Sequence, residues 1–305
     1  MFTERMFFHK RSRFYKILLF MTAVIITGVF FMSEAHASEV AGNPAADLQI
    51  ASAQPAQQDL PGVMTVDLVI FAGQSNMSGT GGNAALSPAV PNGLGYEFRP
   101  YSDPSGLHQI TEPFGVAECG YLSEPASQKK GSLVSSFVNA YYARTGVPVV
   151  AVSASRGATD SAYWASAPVK AELLDKYVRT KAYLSSNHIT LRRSFVVFLQ
   201  GESDAIEGTS LAQYQTNITA AFESLFANGL ERVYVITPGH AKGNLFSYDA
   251  INRAQIDLCA KNPCFTLAST ALSGMPDAYM SDEVHFGQTA LNEIGAATAG
   301  VCASQ

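Results

Sequence analysis

Three short polar blocks in this 305-residue chain hold residue types that can do covalent chemistry. Gly73-Gln74-Ser75-Asn76-Met77 sets a serine directly after an apolar run. Gln200-Gly201-Glu202-Ser203-Asp204 sets two carboxylates after another. Asp282-Glu283-Val284-His285 puts a carboxylate three residues before an imidazole. A serine hydroxyl is a weak nucleophile until a base takes its proton. A histidine base works best when a carboxylate fixes its tautomer and supports the imidazolium that forms. A tight Asp-x-x-His turn can bring the carboxylate to the Nδ1 of its own histidine. In isolation such a pair reads as a surface histidine beside acids; the serine block gives it another meaning.

Histidine is scarce enough for elimination. Beyond residue 37 the chain has His108, His188, His240 and His285. His108 falls in a long loop, and His188 stands at a helix-to-strand connection, on the edge away from the serine. His240 follows a strand and shares the serine's edge. His285 lies three residues after Asp282, just before a glycine and a helix.

These residues must be positioned by the elements before them. Apolar runs at Val66–Phe71, Val147–Val152, Phe195–Leu199, Val233–Thr237 and Phe265–Ala268 lack polar alternation and read as strands buried on both faces. Between them, helical spacing marks Ser132–Arg144 (closed by Gly146), Val169–Leu184, Leu211–Phe226, Tyr248–Ala260 and Gln288–Ala299. The alternation predicts an α/β fold, a three-layer α/β/α domain over 62–305 with a five-stranded parallel sheet. In such a sheet, ligands bind outside the carboxyl ends of the strands. The Ser75, Gln200 and Asp282–His285 blocks all follow strands, as does Ser153-Ala154-Ser155-Arg156-Gly157-Ala158. The stretch from Met77 to Gly131, rich in Gly, Pro and Ser, is expected to form loops over that edge.

Residues 1–37 carry Arg5, Lys10, Arg11, Arg13 and Lys16, then the uncharged run Ile17–Met32, then Ala35-His36-Ala37. This is the order of a cleaved secretory signal peptide, and it predicts a secreted or periplasmic protein with no membrane attachment after cleavage. Residues 38–61, rich in Ala, Gln and Pro, read as a linker or arm. Net charge is −5 and becomes −8 without residues 1–37, which argues against a nucleic-acid partner. An exported chain tolerates disulfides. Cys259 and Cys264, flanking Ala-Lys-Asn-Pro, are the expected pair, with Cys119 and Cys302 left open. No Cys-x-x-Cys is present, and no metal or cofactor is expected.

Gly-Gln-Ser-Asn-Met after the first strand, Gln-Gly-Glu-Ser-Asp after the third and Asp-x-x-His near the C-terminus resemble the SGNH hydrolase superfamily, in its sialate O-acetylesterase/acetylxylan esterase variant. The resemblance runs from about Val66 to Ala299 and implies a flavodoxin-like fold. It implies Ser75 as nucleophile, His285 as base, and either Asp282 or Glu202 as the acid. It implies Gly157 and Gln200 as donors of an oxyanion hole. The pattern departs at Phe198-Leu199, where the family often reads Trp-His, so Asp282 is the expected orienting acid. The residue types agree with these roles. A helix-start amide at Ser75, an open N–H at Gly157 and the Gln200 side-chain amide could each donate to a developing oxyanion.

Other motifs fail. Gly79–Ala84 fits G-x-G-x-x-A but does not open directly after the strand. Met77 stands where the α/β-hydrolase elbow has its second glycine. The loop region lacks an apolar run of lid length, while Tyr96, Tyr101, Tyr163 and Trp164 could stack on sugar rings. Gln74, Asn76, Tyr163 and Trp164 are the expected substrate contacts. The expectation is therefore a serine esterase that removes acetyl groups from acetylated oligo- or polysaccharides. A lipase or thioesterase with the same triad, and a catalytically silent carbohydrate-binding protein, are the alternatives.

Overall fold

The computed structural model describes residues Met64–Ser304, so the expected signal peptide over 1–37 and the arm over 38–61 lie outside the described residues. The strands are β1 (Thr65–Gly73), β2 (Gly95–Arg99), β3 (Asp103–Gln109), β4 (Val149–Ser155), β5 (Thr190–Leu199), β6 (Arg232–Ile236) and β7 (Phe265–Ser269). They form one sheet in the order β3-β2-β4-β1-β5-β6-β7. All neighbours run parallel except β3, which is antiparallel to β2.

The expected five parallel strands are present, but the sheet has seven. The added hairpin β2–β3 comes from the stretch read as loops. Strand β3 reads Asp-Pro-Ser-Gly-Leu-His-Gln and has no fully buried residue. It carries Pro104 and no apolar run, which a chain tolerates only at a sheet edge. His108 therefore sits on an edge strand rather than in a loop. Strand β5 starts earlier than its apolar run because two arginines at its head find partners. Arg192 Nε donates to the buried Asp67 at 3.0 Å, and Arg193 Nε to Glu231 at 3.1 Å.

The helices are α1 (Ser75–Ser78), α2 (Val134–Thr145), α3 (Ser161–Ala165), α4 (Ala167–Ser186), α5 (Glu202–Glu207), α6 (Leu211–Ala227), α7 (Asp249–Lys261) and α8 (Gln288–Ala303). Alternation along β1 divides the core. Leu68 and Ile70 join Leu173, Tyr177, Phe222 and Ile251 from α4, α6 and α7. Val69 and Phe71 join Phe137, Tyr141, Leu291 and Ile294 from α2 and α8. The result is the expected three-layer α/β/α arrangement. After β1 the chain goes to one side for β4 and crosses to the other for β5. That switch opens a crevice outside the carboxyl end of β1.

The expected Cys259–Cys264 bridge is not formed, and all four cysteines are free. Cys259 belongs to α7, and the Asn262 side chain closes the following turn by accepting from Cys264 N–H at 3.0 Å. No described helix is long and apolar enough to cross a membrane.

Candidate active site

Ser75 opens the single turn α1 at the end of β1 and is almost buried, at 6% exposure. Two glycines set that turn. Gly73 has φ +148°, and a Cβ there would lie 2.0 Å from Leu199 O on β5. Gly79 caps α1 in the left-handed region, with its own would-be Cβ 2.0 Å from Gly131 O. Only glycine permits both backbone approaches. The first-turn amides of a helix have no intrahelical acceptor, so the Ser75 N–H is one of the donors that α1 leaves over.

The loop before α8 brings the acid–base pair to this turn. His285 Nε2 lies 2.9 Å from Ser75 Oγ, and Nδ1 lies 2.8 Å from Asp282 Oδ2. Asp282 Oδ1 accepts from the backbone N–H of Val284 at 2.9 Å and of His285 at 2.8 Å. One carboxylate thus folds the turn with one oxygen and holds the imidazole with the other. Burial alone would raise the Asp282 carboxyl. The hydrogen bonds and charge of His285 outweigh it and hold the group at about 2. An ionised carboxylate only accepts, so Nδ1 carries the proton and Nε2 is left to accept from the Ser75 hydroxyl. His240 takes no part in this chain: its Nδ1 faces Leu272 O at 3.0 Å and its Nε2 faces Asp277 at 3.2 Å.

Glu202, the other candidate acid, lies at the start of α5 with 2% exposure. It accepts from Asn76 Nδ2 at 2.7 Å, while Asp282 occupies the Nδ1 side of His285. Burial pushes the Glu202 carboxyl up to about 7, against the lowering effect of the Asn76 hydrogen bond.

The expected oxyanion donors are placed differently. Gln200 is fully buried, and its Nε2 donates to Thr159 O at 2.9 Å and to Asp204 Oδ2 at 2.7 Å. Both amide hydrogens are thereby used, so Gln200 is a structural crosslink and not an oxyanion donor. The Gly157 N–H does reach the same edge, but it donates to the Glu124 carboxylate.

The expected substrate contacts also need correction. Gln74 and Asn76 are each 1% exposed and turn their amides inward. In one amide orientation Gln74 Oε1 accepts from Gly201 N–H at 3.3 Å and Ser203 N–H at 3.4 Å; in the other its NH2 donates to Thr159 O at 3.1 Å and Glu202 Oε2 at 3.2 Å. Trp164 has no exposure, and its Nε1 donates to Thr159 Oγ1 at 3.1 Å. The Asp160 side chain caps α3 by accepting from Tyr163 N–H at 2.7 Å. Tyr101 lies under Lys176 on the β2–β3 side, 4.7 Å from ring centre to Nζ. Tyr163 alone among the named contacts stays at the surface, where its hydroxyl donates to Tyr121 O at 2.8 Å.

The family model described as carbohydrate esterase, sialic acid-specific acetylesterase, matches residues 65–304. The chain belongs to this family. The esterase is accordingly a carbohydrate O-acetylesterase. Among solved structures it resembles a protein from Arabidopsis thaliana, with 19% identity and a TM-score of 0.58 over 78% of this chain and 98% of that one. It also resembles NanS, with 15% identity and a TM-score of 0.51 over 79% and 97%. At these identities the likeness is one of fold. No curated protein matches in sequence.

Two features of the esterase's rim had no signal in the sequence. Tyr121 is 59% exposed, yet its backbone is fixed. The buried Glu172 of α4 accepts from Tyr121 N–H at 2.6 Å and Leu122 N–H at 2.8 Å. Two residues on, Ser123 bridges Ser155 at the end of β4, and Glu124 covers Gly157. Lys129 is buried beneath, 3.5 Å from both Ser153 Oγ and Ser155 Oγ. Burial brings its ammonium down to about 8, against the opposing pull of Glu124, Glu97 and Glu112.

Proposed function

We propose that the esterase is an exported serine hydrolase that removes acetyl groups from carbohydrate hydroxyls through Ser75, His285 and Asp282. The observation that carries this reading is the unbroken chain Asp282–His285–Ser75, with links of 2.8 and 2.9 Å. Ser75 Oγ attacks the acetyl carbonyl as His285 Nε2 takes its proton. The resulting imidazolium is stabilised by Asp282 and returns the proton to the departing sugar alkoxide. A water then repeats the sequence on the acetyl-serine, releasing acetate and restoring the hydroxyl. The oxyanion is held by the Ser75 N–H, joined by the Gly157 N–H once Glu124 gives way.

Export is proposed from the basic and apolar segments before Ala35-His36-Ala37; a mature N-terminus at Ser38 in secreted material is the expected result. The exposed Tyr121 and the partly exposed Tyr163 offer a surface suited to a sugar ring, an apolar face with a polar tip. The experiment is hydrolysis of 4-nitrophenyl esters from acetate to decanoate. The kcat/KM should be highest at acetate and fall with chain length, and Ser75→Ala should abolish turnover. A maximum at octanoate or beyond would make the protein a lipase. Glycan binding without Ser75-dependent turnover would make it a silent binding protein.

A further inference from the structure

We infer that Asn76 and Glu202 are positioning residues: the buried Glu202 carboxylate fixes the Asn76 amide, and Asn76 holds both flanks of His285 against the Ser75 turn. The inference rests on the reading that Ser75 and His285 carry the chemistry.

Asn76 follows the nucleophile directly. Its Nδ2 donates to Val284 O at 3.1 Å, and its Oδ1 accepts from Phe286 N–H at 2.9 Å. Val284 and Phe286 are the residues on either side of His285, more than 200 positions away in the chain. One side chain therefore ties the base's backbone to the nucleophile's helix. An amide can do this in only one of its two orientations, since turning it over would set NH2 against N–H and oxygen against oxygen. Glu202 decides between them. Its Oε1 accepts the second hydrogen of Asn76 Nδ2 at 2.7 Å. Its Oε2 lies 3.2 Å from the Gln74 amide, which can turn its NH2 toward it, so the carboxylate reaches the residues before and after the nucleophile.

Glu202 is an expensive group to place there. It is 2% exposed and its named hydrogen-bond partners are amides, not cations. Burial pushes its proton affinity up, and a buried carboxylate without a counter-ion works against folding. The return is geometric: a displacement of about 1 Å between reacting groups costs about a hundredfold in rate. An acceptor role also differs from that of an orienting acid. It needs an oxygen facing Asn76 but no negative charge. A glutamine in place of Glu202 would keep that oxygen, with Gln74 turning its amide to receive the new NH2.

The test uses isosteric exchanges in the full chain, with kcat and KM for 4-nitrophenyl acetate and Tm for each variant. Glu202→Gln should retain kcat within about fivefold. Asn76→Asp, which removes the donors and sets two carboxylates face to face, should lower kcat about a hundredfold with KM within about threefold. Combining the two exchanges lets the introduced glutamine donate its NH2 to the introduced aspartate and restores the 76–202 contact, while the bond to Val284 O stays lost. The double variant should regain at least about tenfold over Asn76→Asp alone. The inference is overturned if the double variant is as slow as the product of its singles, or if Glu202→Gln falls as far as Asp282→Asn. It is also overturned if the variants lose Tm while keeping wild-type kcat. Full turnover by Ser75→Ala would instead remove the esterase reading itself.

Discussion

The two walls of the crevice use their hydrogen bonds in opposite directions. On the wall built by α1 and the loop before α8, polar atoms converge on the reacting groups: Asp282 on His285, His285 on Ser75, Asn76 on both flanks of the histidine. On the wall built by the ends of β4 and β5, polar atoms turn to internal partners. The Gly157 N–H is taken by Glu124, and the Gln200 amide by Thr159 and Asp204. The first wall is assembled in the resting protein, while the second holds its one available donor covered. In the proposed mechanism the proton-transfer groups are thus preorganised, and charge stabilisation at Gly157 requires a side chain to move.

The exchange that most severely breaks the first wall is Asp282→Asn. An asparagine would present NH2 to Nδ1, move the proton to Nε2 and leave no acceptor for the serine hydroxyl. The expected fall in kcat is about 10^4-fold, by analogy with the serine-protease triad, with KM little changed. A loss under tenfold would transfer the orienting role to another group.

Next in size is the cost of burying Glu202. Its carboxyl stands at about 7 in the fold against an ordinary 4.5. The native state binds this proton more tightly than the unfolded chain does. The resulting stability is fully present below about pH 4.5 and lost as pH rises through 7. The loss is about 3 kcal/mol on the scale of 1.36 kcal/mol per unit. Glu202→Gln abolishes that dependence. Relative to wild type, the variant should gain about 3 kcal/mol between pH 4.5 and pH 8 in denaturant unfolding. Parallel curves for the two proteins would mean that the carboxyl titrates normally.

On the second wall, Gln200→Ala should cost about 2 kcal/mol of stability, because it removes one buried hydrogen bond each from Thr159 O, Asp204 and the Tyr214 hydroxyl that donates to Gln200 Oε1. The folded variant should keep kcat within about threefold. A drop of 10^2-fold or more is the signature of a lost oxyanion donor and would reverse the assignment. The smallest effect is a gain: Glu124→Ala uncovers the Gly157 N–H and should raise kcat/KM for aryl acetates by about threefold to tenfold. Lower activity would give Glu124 a constructive role at the site.

How much of this the sequence disclosed follows the same division. Asp282 and His285 share one turn, so spacing of three residues carries their contact. The five parallel strands are continuous apolar runs, and continuity is a local signal. The hairpin β2–β3 has no such signal: Asp103, Leu107, His108 and Gln109 are held in a strand by pairing with β2, and Pro104, Ser105 and Gly106 lie in the register shift between them. Gly157 is 33 positions from Glu124, and Gln200 is 41 from Thr159. Residue type names both as donors, and only the fold names their acceptors. Trp164 failed as a sugar platform for a similar reason. Its aromatic character suits a surface stack, but in the fold the indole lies in the core, where Nε1 donates to Thr159 Oγ1.

The turn that contains Asp282 and His285 has a consequence under heat. Its carboxylate is bonded to the backbone and the side chain of the same four residues, so the turn travels as one piece. If the loop before α8 drifts, the acid–base distance is conserved, and the distance that opens is the one to Ser75. Warming should therefore silence the protein reversibly at temperatures where far-ultraviolet circular dichroism is still native, and cooling should restore activity at once. The weak point in operation is a joint between two intact parts, and a crosslink between α1 and the loop before α8 would raise the working temperature without changing the melting temperature of the sheet.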